Sequence, residues 1–137
     1  MAHIYRIRMS DKNTDPKYSN VRIQIHVRME SSDGSGVLDD GCWQLLKGIE
    51  KFQSLTQASN ELGISYRKAW GDLRKAEQLL GFPLVEKHRG GSKGGVTVLT
   101  QAGIHFVKSY TEFHQEFTDS VKPIIIKLKR SLKEKPL

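Results

Sequence analysis

The stretch SLTQASNELGISYRKAWGDLRKAEQLLG, Ser54 to Gly81, leaves this chain few ways to fold. Leu55, Ala58 and Leu62 recur at helical spacing. Ser54 or Thr56 can cap that helix, and Gly63 supplies the left-handed backbone that ends it. Only Gly63 and Ile64 then separate this end from Ser65, the cap of a following helix. That helix carries Ala69, Leu73, Ala76 and Leu80 on one side and stops at Gly81. Two helices joined across so short a glycine turn make a helix-turn-helix.

The flanks extend the pattern. An upstream helix is expected to start near Asp39 or Asp40, whose carboxylates can cap free amides, and to run to about Phe52, with Trp43, Leu46, Ile49 and Phe52 inward. Downstream, FPLVE is expected as a strand, KHRGGSKGG as a loop and VTVL as the returning strand. Four glycines in the nine residues of that loop permit a hairpin tip with positive backbone dihedrals. Thr100 should cap a long helix from about Gln101. Its apolar residues Phe106, Tyr110, Phe113, Phe117, Val121, Ile124 and Leu128 step by 4, 3, 4, 4, 3 and 4, close to a heptad seam. Pro123 predicts a kink, or a break into a second short helix, and the cationic tail KLKRSLKEKPL is expected to fray.

Ahead of all this, VRIQIHVRME alternates. Val21, Ile23, Ile25, Val27 and Met29 fall on one face of a half-buried strand. HIYRIRM, joined to it by SDKNTDPKYSN, is expected as its hairpin partner, with a swapped or flexible arm as the alternative, and ESSDGSG as a turn or loop. The expected fold class is therefore α+β, mainly α: a winged helix-turn-helix with an N-terminal strand or hairpin and a long C-terminal dimerisation helix. The segments are 1–36 (strands and loop), 37–100 (winged helix-turn-helix) and 101–137 (long helix and basic tail).

Charge points to the partner. The net charge is +7, which favours polyanions. Between Gly63 and Gly95, seven Lys and Arg residues face only Asp72, Glu77 and Glu86. Ser65, Tyr66, Arg67 and Lys68 occupy the first turn of the second helix of the motif, the end that leads into a major groove and whose free amides and dipole favour phosphate. Arg67 is the expected bidentate guanine reader and Lys68 reaches a phosphate or base. Arg74, about two turns on, meets flanking backbone. In the glycine loop Arg89 and Lys93 supply charge, and His88 is either a phosphate contact or a solvated loop residue. With Thr56 and Gln57 of the preceding helix these form the expected DNA-contact set.

Competing chemistries find no residues. GGSKGG could cradle a nucleotide phosphate, but GxxxxGK[ST] is absent. His3, His26, His88, His105 and His114 show no metal-ligand spacing among themselves or with Cys42. No Ser/His/Asp or paired-carboxylate arrangement stands out, so neither enzyme activity nor a cofactor is expected. A protein-interaction module would carry neutral or acidic residues on the second helix of the motif, where this chain is basic. Trp70 is expected to pack rather than touch bases, and the lone Cys42 to be a buried structural thiol. The composition is that of a soluble globular protein, at 37% hydrophobic and 27% charged residues, without a run long enough to span a membrane. MAHIYRIRMS lacks the apolar core of a signal peptide, so a cytoplasmic location is expected.

The segments LTQASNELGIS, SYRKAW, LGFPLVEK, GGSKGG and LTQAG, within Ser54 to Gly103, together resemble the N-terminal DNA-binding domain of ModE-type molybdate-responsive regulators, relatives of the LysR-type winged helix. The likeness extends more loosely from Val21 to about Ile126. It implies a sequence-specific DNA-binding homodimer that regulates transcription, with the long helix building the dimer interface, a role that the seam from Phe106 to Leu128 fits. Full-length regulators of this kind carry C-terminal oxyanion-binding domains. None is expected before Leu137, which leaves three readings: response through an effector-binding partner protein, sensing of something else, or constitutive binding.

Overall fold

The computed structural model describes residues 22–89 and 95–133, together with the backbone of residues 5–8. In chain order the elements are β1 (Tyr5–Arg8), β2 (Arg22–Ile25), β3 (Arg28–Glu30), β4 (Val37–Asp39), α1 (Asp40–Phe52), α2 (Leu55–Glu61), α3 (Tyr66–Leu80), β5 (Val85–His88), β6 (Val96–Leu99) and α4 (Gln101–Lys133). The strands form three antiparallel pairs, β1–β2, β3–β4 and β5–β6. This is a mainly α winged helix with a long final helix.

The three helices of the motif begin and end where their caps dictate. The Asp39 carboxylate accepts from the Cys42 amide, the Ser54 hydroxyl from Gln57 and the Ser65 hydroxyl from Lys68. After α2, Gly63 takes φ +67°. Its amide donates to Asn60 and the Ile64 amide to Ser59, both at 3.1 Å. That pair of bonds is the glycine-dependent motif that satisfies the last carbonyls of a helix and redirects the chain. It sets α3 against α2. Gly81 (φ +81°) ends α3 in the same handedness.

The core gathers around α1. Leu45, Leu46 and Ile49 have no exposed surface, and Leu55 and Ala58 of α2, Ala69, Leu73 and Ala76 of α3, and Leu84 close over them. Burying a leucine so completely stabilises the fold by about 1.5–3 kcal/mol. Cys42 lies in this core, and burial pushes its thiol well above the usual range, so it stays protonated.

Four expectations are corrected. The alternation from Val21 to Met29 does not form one strand. β2 ends at Ile25 after pairing with β1, Tyr5 opposite Ile25 and Ile7 opposite Ile23. β3 then turns to β4, with Met29 opposite Leu38. Leu38 is in the core and fixes β4 against α3, so the second half of the alternating stretch follows a different partner. The β3–β4 turn seats on α3 through Gly36, where a Cβ would stand 2.8 Å from the Leu79 backbone. In that turn Ser35, through hydroxyl and amide, and then Ser31 hold the Asp33 carboxyl down at about 2.

The second correction is the wing. Its first strand begins at Val85, not Phe82, and includes Lys87 and His88, which were expected in the loop. Pro83 has no amide to give a ladder, and the Leu84 amide donates instead to the Glu77 carboxylate at 2.7 Å. The third is the break considered at Pro123: α4 runs as one helix through Pro123 to Lys133. Proline there removes one backbone bond, and the buried Val121 and Ile125 on either side keep one face of the helix covered. The fourth is the tail, which is helical through Lys133 rather than frayed.

The expected seam along α4 divides. Tyr110 is buried inside the protomer, where its hydroxyl donates to Asp40 at 2.9 Å, and Phe106 packs on the same core. Val121 is buried too. Phe113, Ile124 and Leu128 stay 39%, 65% and 43% exposed, with Phe117 half-buried.

The Asp40–Tyr110 bond joins α1 to α4. Trp43 reinforces it, donating its indole N–H to Thr111 at 3.1 Å and stacking at 4.6 Å on His114. Burial raises the Asp40 pKa, opposed by the Tyr110 hydroxyl and by His114, 3.9 Å from the second carboxylate oxygen. A raised folded pKa favours the protonated acid, so this contribution is present at low pH and fades as pH rises above the ordinary aspartate value. Asp40→Asn, which keeps an acceptor for Tyr110, should therefore lose less stability between pH 4 and pH 7 than the wild type in urea unfolding. Tyr110→Phe strips the hydrogen bond that the Tyr110 hydroxyl donates to Asp40 and should cost about 1–3 kcal/mol.

Candidate nucleic-acid interface

α3 presents two faces. Ala69, Leu73 and Ala76 are buried, which turns the opposite face outward. Ser65, Tyr66, Arg67, Lys68, Arg74 and Lys75 are exposed. Among the described residues, Arg67, Arg74 and Lys75 have no carboxylate partner, whereas Lys68 is held by Asp72 at 2.8 Å. Asp72, which hydrogen-bonds to the Lys68 ammonium, keeps that lysine's pKa above its ordinary value. Lys68 is therefore charged at neutral pH but must exchange a partner to reach DNA. The Ser65 hydroxyl consumes one of the free amides of the first turn, so an anion there would meet the others.

Thr56 and Gln57 sit exposed in the first turn of α2, at the opposite end of that helix from the glycine turn. The wing is tied to the same body at its base. The Thr97 amide donates to the Gln53 carbonyl, which lies in the left-handed cap of α1. The Thr100 amide donates to Leu84 and its hydroxyl to Pro83, while the Gly103 amide donates back to that hydroxyl. At the far end of β5, His88 faces Glu86 at 3.6 Å, and Arg89 is exposed. Lys93 lies outside the described residues, as does the loop around it. Of the expected contact set, α2, α3 with its N-cap Ser65, and β5 thus carry Thr56, Gln57, Ser65, Tyr66, Arg67, Lys68, Arg74 and His88.

Two contacts went unread in the sequence. Trp70 is half-buried and packs against the core, yet its ring also carries the Lys87 ammonium 4.5 Å above it. Lys87 meanwhile donates to the Tyr66 hydroxyl at 2.7 Å. The signal was the alternation of β5, where Val85 and Lys87 share one side, but it is visible only once the strand begins at Val85.

Among the described residues no group of three His, Cys, Asp or Glu side chains could hold a metal ion. No described helix is long and apolar enough to cross a membrane. A cleft of about 530 Å³ opens beside α3, walled by Val37, Leu62 and Ile64 with Arg28, Lys75 and Asp39 at its polar side.

Residues 43–104 match the family model of bacterial regulatory helix-turn-helix proteins of the lysR family. They are a helix-turn-helix domain of the LysR type. The match runs from Trp43 in α1 to Ile104 in α4, so it contains the motif and the whole wing. Among curated proteins, the chain is 39% identical over 66 residues to the DNA-binding transcriptional dual regulator ModE of Escherichia coli K12. It is 38% identical over 66 residues to the molybdenum-pterin-binding protein MopB of Rhodobacter capsulatus. In each case 48% of this chain aligns, with 25% and 24% of the relative. The molybdenum transport protein ModE of Azotobacter vinelandii is 31% identical over 90 residues, 66% of this chain and 33% of its own length. The chain thus spans about a quarter to a third of the relatives it matches. The LysR-type domain here is of the kind found in ModE proteins, as the sequence motifs led one to expect.

Proposed function

We propose that this chain is a sequence-specific DNA-binding transcriptional regulator that acts as a homodimer. The observation that carries this reading is the outward face of α3, where Arg67 in the capped first turn, and Arg74 and Lys75 about two turns on, stand exposed with no carboxylate partner among the described residues. An arginine in that first turn matches the two acceptors of a guanine edge, and a helix fits the major groove. Lys68 and Arg74 supply phosphate contacts that set register. Thr56 and Gln57, at the start of α2, lie where the first helix of such a motif crosses the backbone. His88, Arg89 and Lys93 of the wing add phosphate or minor-groove contacts.

The dimer face is the part of the α4 seam that the protomer leaves exposed or only half-covered: Phe113, Phe117, Ile124 and Leu128. Phe106, Tyr110 and Val121 back it from within. Two α3 helices related by the dimer axis would enter successive major grooves about 34 Å apart, on an inverted repeat.

Arg67→Ala should weaken binding to the preferred duplex by about 1–3 kcal/mol and relax discrimination at one base position. Competition titrations with duplexes mutated one position at a time measure this. Equal binding of every sequence by variant and wild type would remove Arg67 from base reading.

A further inference from the structure

We propose that Lys87 is a positioning residue: from the wing strand it holds the Tyr66 hydroxyl so that the phenol's own proton is left to donate to an acceptor on the DNA duplex. The inference rests on the DNA-binding reading above and adds a hydrogen-bond donor to it.

The placement follows from β5. Val85 points into the core, so Lys87, two residues on, leans the same way, while Glu86 and His88 meet each other on the opposite side. The Lys87 ammonium ends 2.7 Å from the Tyr66 oxygen, 4.5 Å above the Trp70 ring and 5.3 Å from the Tyr66 ring. Tyr66 and Trp70, one helical turn apart on α3, meet edge to face at 6.3 Å. Trp70 is anchored on the core, so the platform under the ammonium is fixed. Tyr66 itself is 43% exposed at the leading end of α3.

Hydrogen-bond inventory decides what this arrangement does. An ammonium can only donate. The phenol oxygen must therefore accept from Lys87, and its O–H is turned to another acceptor. A neighbouring cation also makes the phenol a stronger donor, and the Tyr66 pKa lies below its ordinary value, chiefly through the hydrogen bond from Lys87 and next through Trp70. Phosphate and guanine edges offer only acceptors at the positions that a leading helix turn reaches. Lys87 meanwhile sits on aromatic faces, and to neutralise a phosphate itself it would have to leave both rings and the phenol. Its role differs from that of Arg89: it ties the wing to the recognition helix and aims Tyr66.

The test compares Lys87→Met, Lys87→Arg, Tyr66→Phe and the Lys87→Met/Tyr66→Phe double variant with wild type. Each is titrated by fluorescence anisotropy on the tightest duplex selected from a randomised pool, over a range of salt. Lys87→Met and Tyr66→Phe should each weaken binding about tenfold, the effect of losing one charge-assisted hydrogen bond. The double variant should fall within about twofold of either single one, because both remove the same bond. Lys87→Arg should restore most of the affinity, and the salt slope should not change. Additive losses, or a slope reduced by about one unit in Lys87→Met, would make Lys87 a plain phosphate contact and overturn the proposal. If the wild type binds no duplex, the DNA-binding reading fails, and the hold on Tyr66 is decided in the free protein. Ultraviolet titration should then find the lowest phenol absent in Tyr66→Phe and shifted upward in Lys87→Met. A phenol that titrates alike in wild type and Lys87→Met would sink the hold itself.

Discussion

Ile124→Glu combined with Leu128→Glu should yield a folded monomer whose affinity for a two-half-site duplex falls by about 10²–10⁴-fold, while its affinity for an isolated half-site is kept. Ile124 and Leu128 are 65% and 43% exposed in the protomer, so two carboxylates there meet water and leave the core intact. In a dimer the same carboxylates would face each other across an apolar seam, a like-charge contact with no partner. The loss on DNA follows from linkage of the two half-sites: a tethered second site raises avidity by about 10²–10⁴ without any new contact. Light scattering behind a sizing column gives the assembly state, and titration against whole and half operators gives the affinities. A double variant that stays dimeric would move the interface off this face of α4.

Gly103→Ala should destabilise the protein by about 3 kcal/mol, the upper part of the range for overpacking a closed site. A Cβ at Gly103 would run into the backbone carbonyl of Leu84, with the Leu99 side chain at 3.3 Å. Neither obstacle is the loose end of a flexible side chain. Leu84 is fully buried, and its carbonyl is fixed by the Thr100 amide at 3.0 Å. Relief would require α4 to lift from the base of the wing, the corner where the Thr100 hydroxyl bonds both the Pro83 carbonyl and the Gly103 amide. Urea unfolding followed by far-ultraviolet circular dichroism measures the loss. Stability within about 0.5 kcal/mol of wild type, the range of an ordinary surface change, would mean that the corner yields without cost.

Much of the fold was legible because local chemistry decided it. Asp39, Ser54 and Ser65 cap the helices that they precede, and Gly63 and Gly81 end theirs with positive φ. Such signals lie within one turn of the residues they control. What the sequence hid was set at a distance. The alternation of residues 21–29 carries no mark of where one strand changes partner, since that depends on β4 being pinned to α3 by Leu38. β4 itself is three residues long and runs straight into α1, so no period can develop in it. Proline at position 123 has the local signature of a break, but burial on both sides of it outweighs one missing bond.

The candidate site divides in the same way. The cationic outward face of α3 could be read from the spacing of Ala69, Leu73 and Ala76, which sends Arg67 and Arg74 to the other side. The pairings within it could not: Lys68 with Asp72 is one i, i+4 option among several, and Lys87 reaches Tyr66 across 21 positions. Tyr110 stands in the same heptad seam as Phe113, and only the buried carboxylate of Asp40 distinguishes the residue that turns inward.

The most direct test of the account is selection of the purified chain on a randomised duplex pool, with the winners titrated by fluorescence anisotropy at two salt concentrations. The account predicts enrichment of an inverted repeat whose half-sites lie about one helical turn apart, and a preference for it that survives the higher salt. A pool that stays random, with binding that vanishes at the higher salt, would contradict it: the cationic surface would then hold phosphate without reading bases.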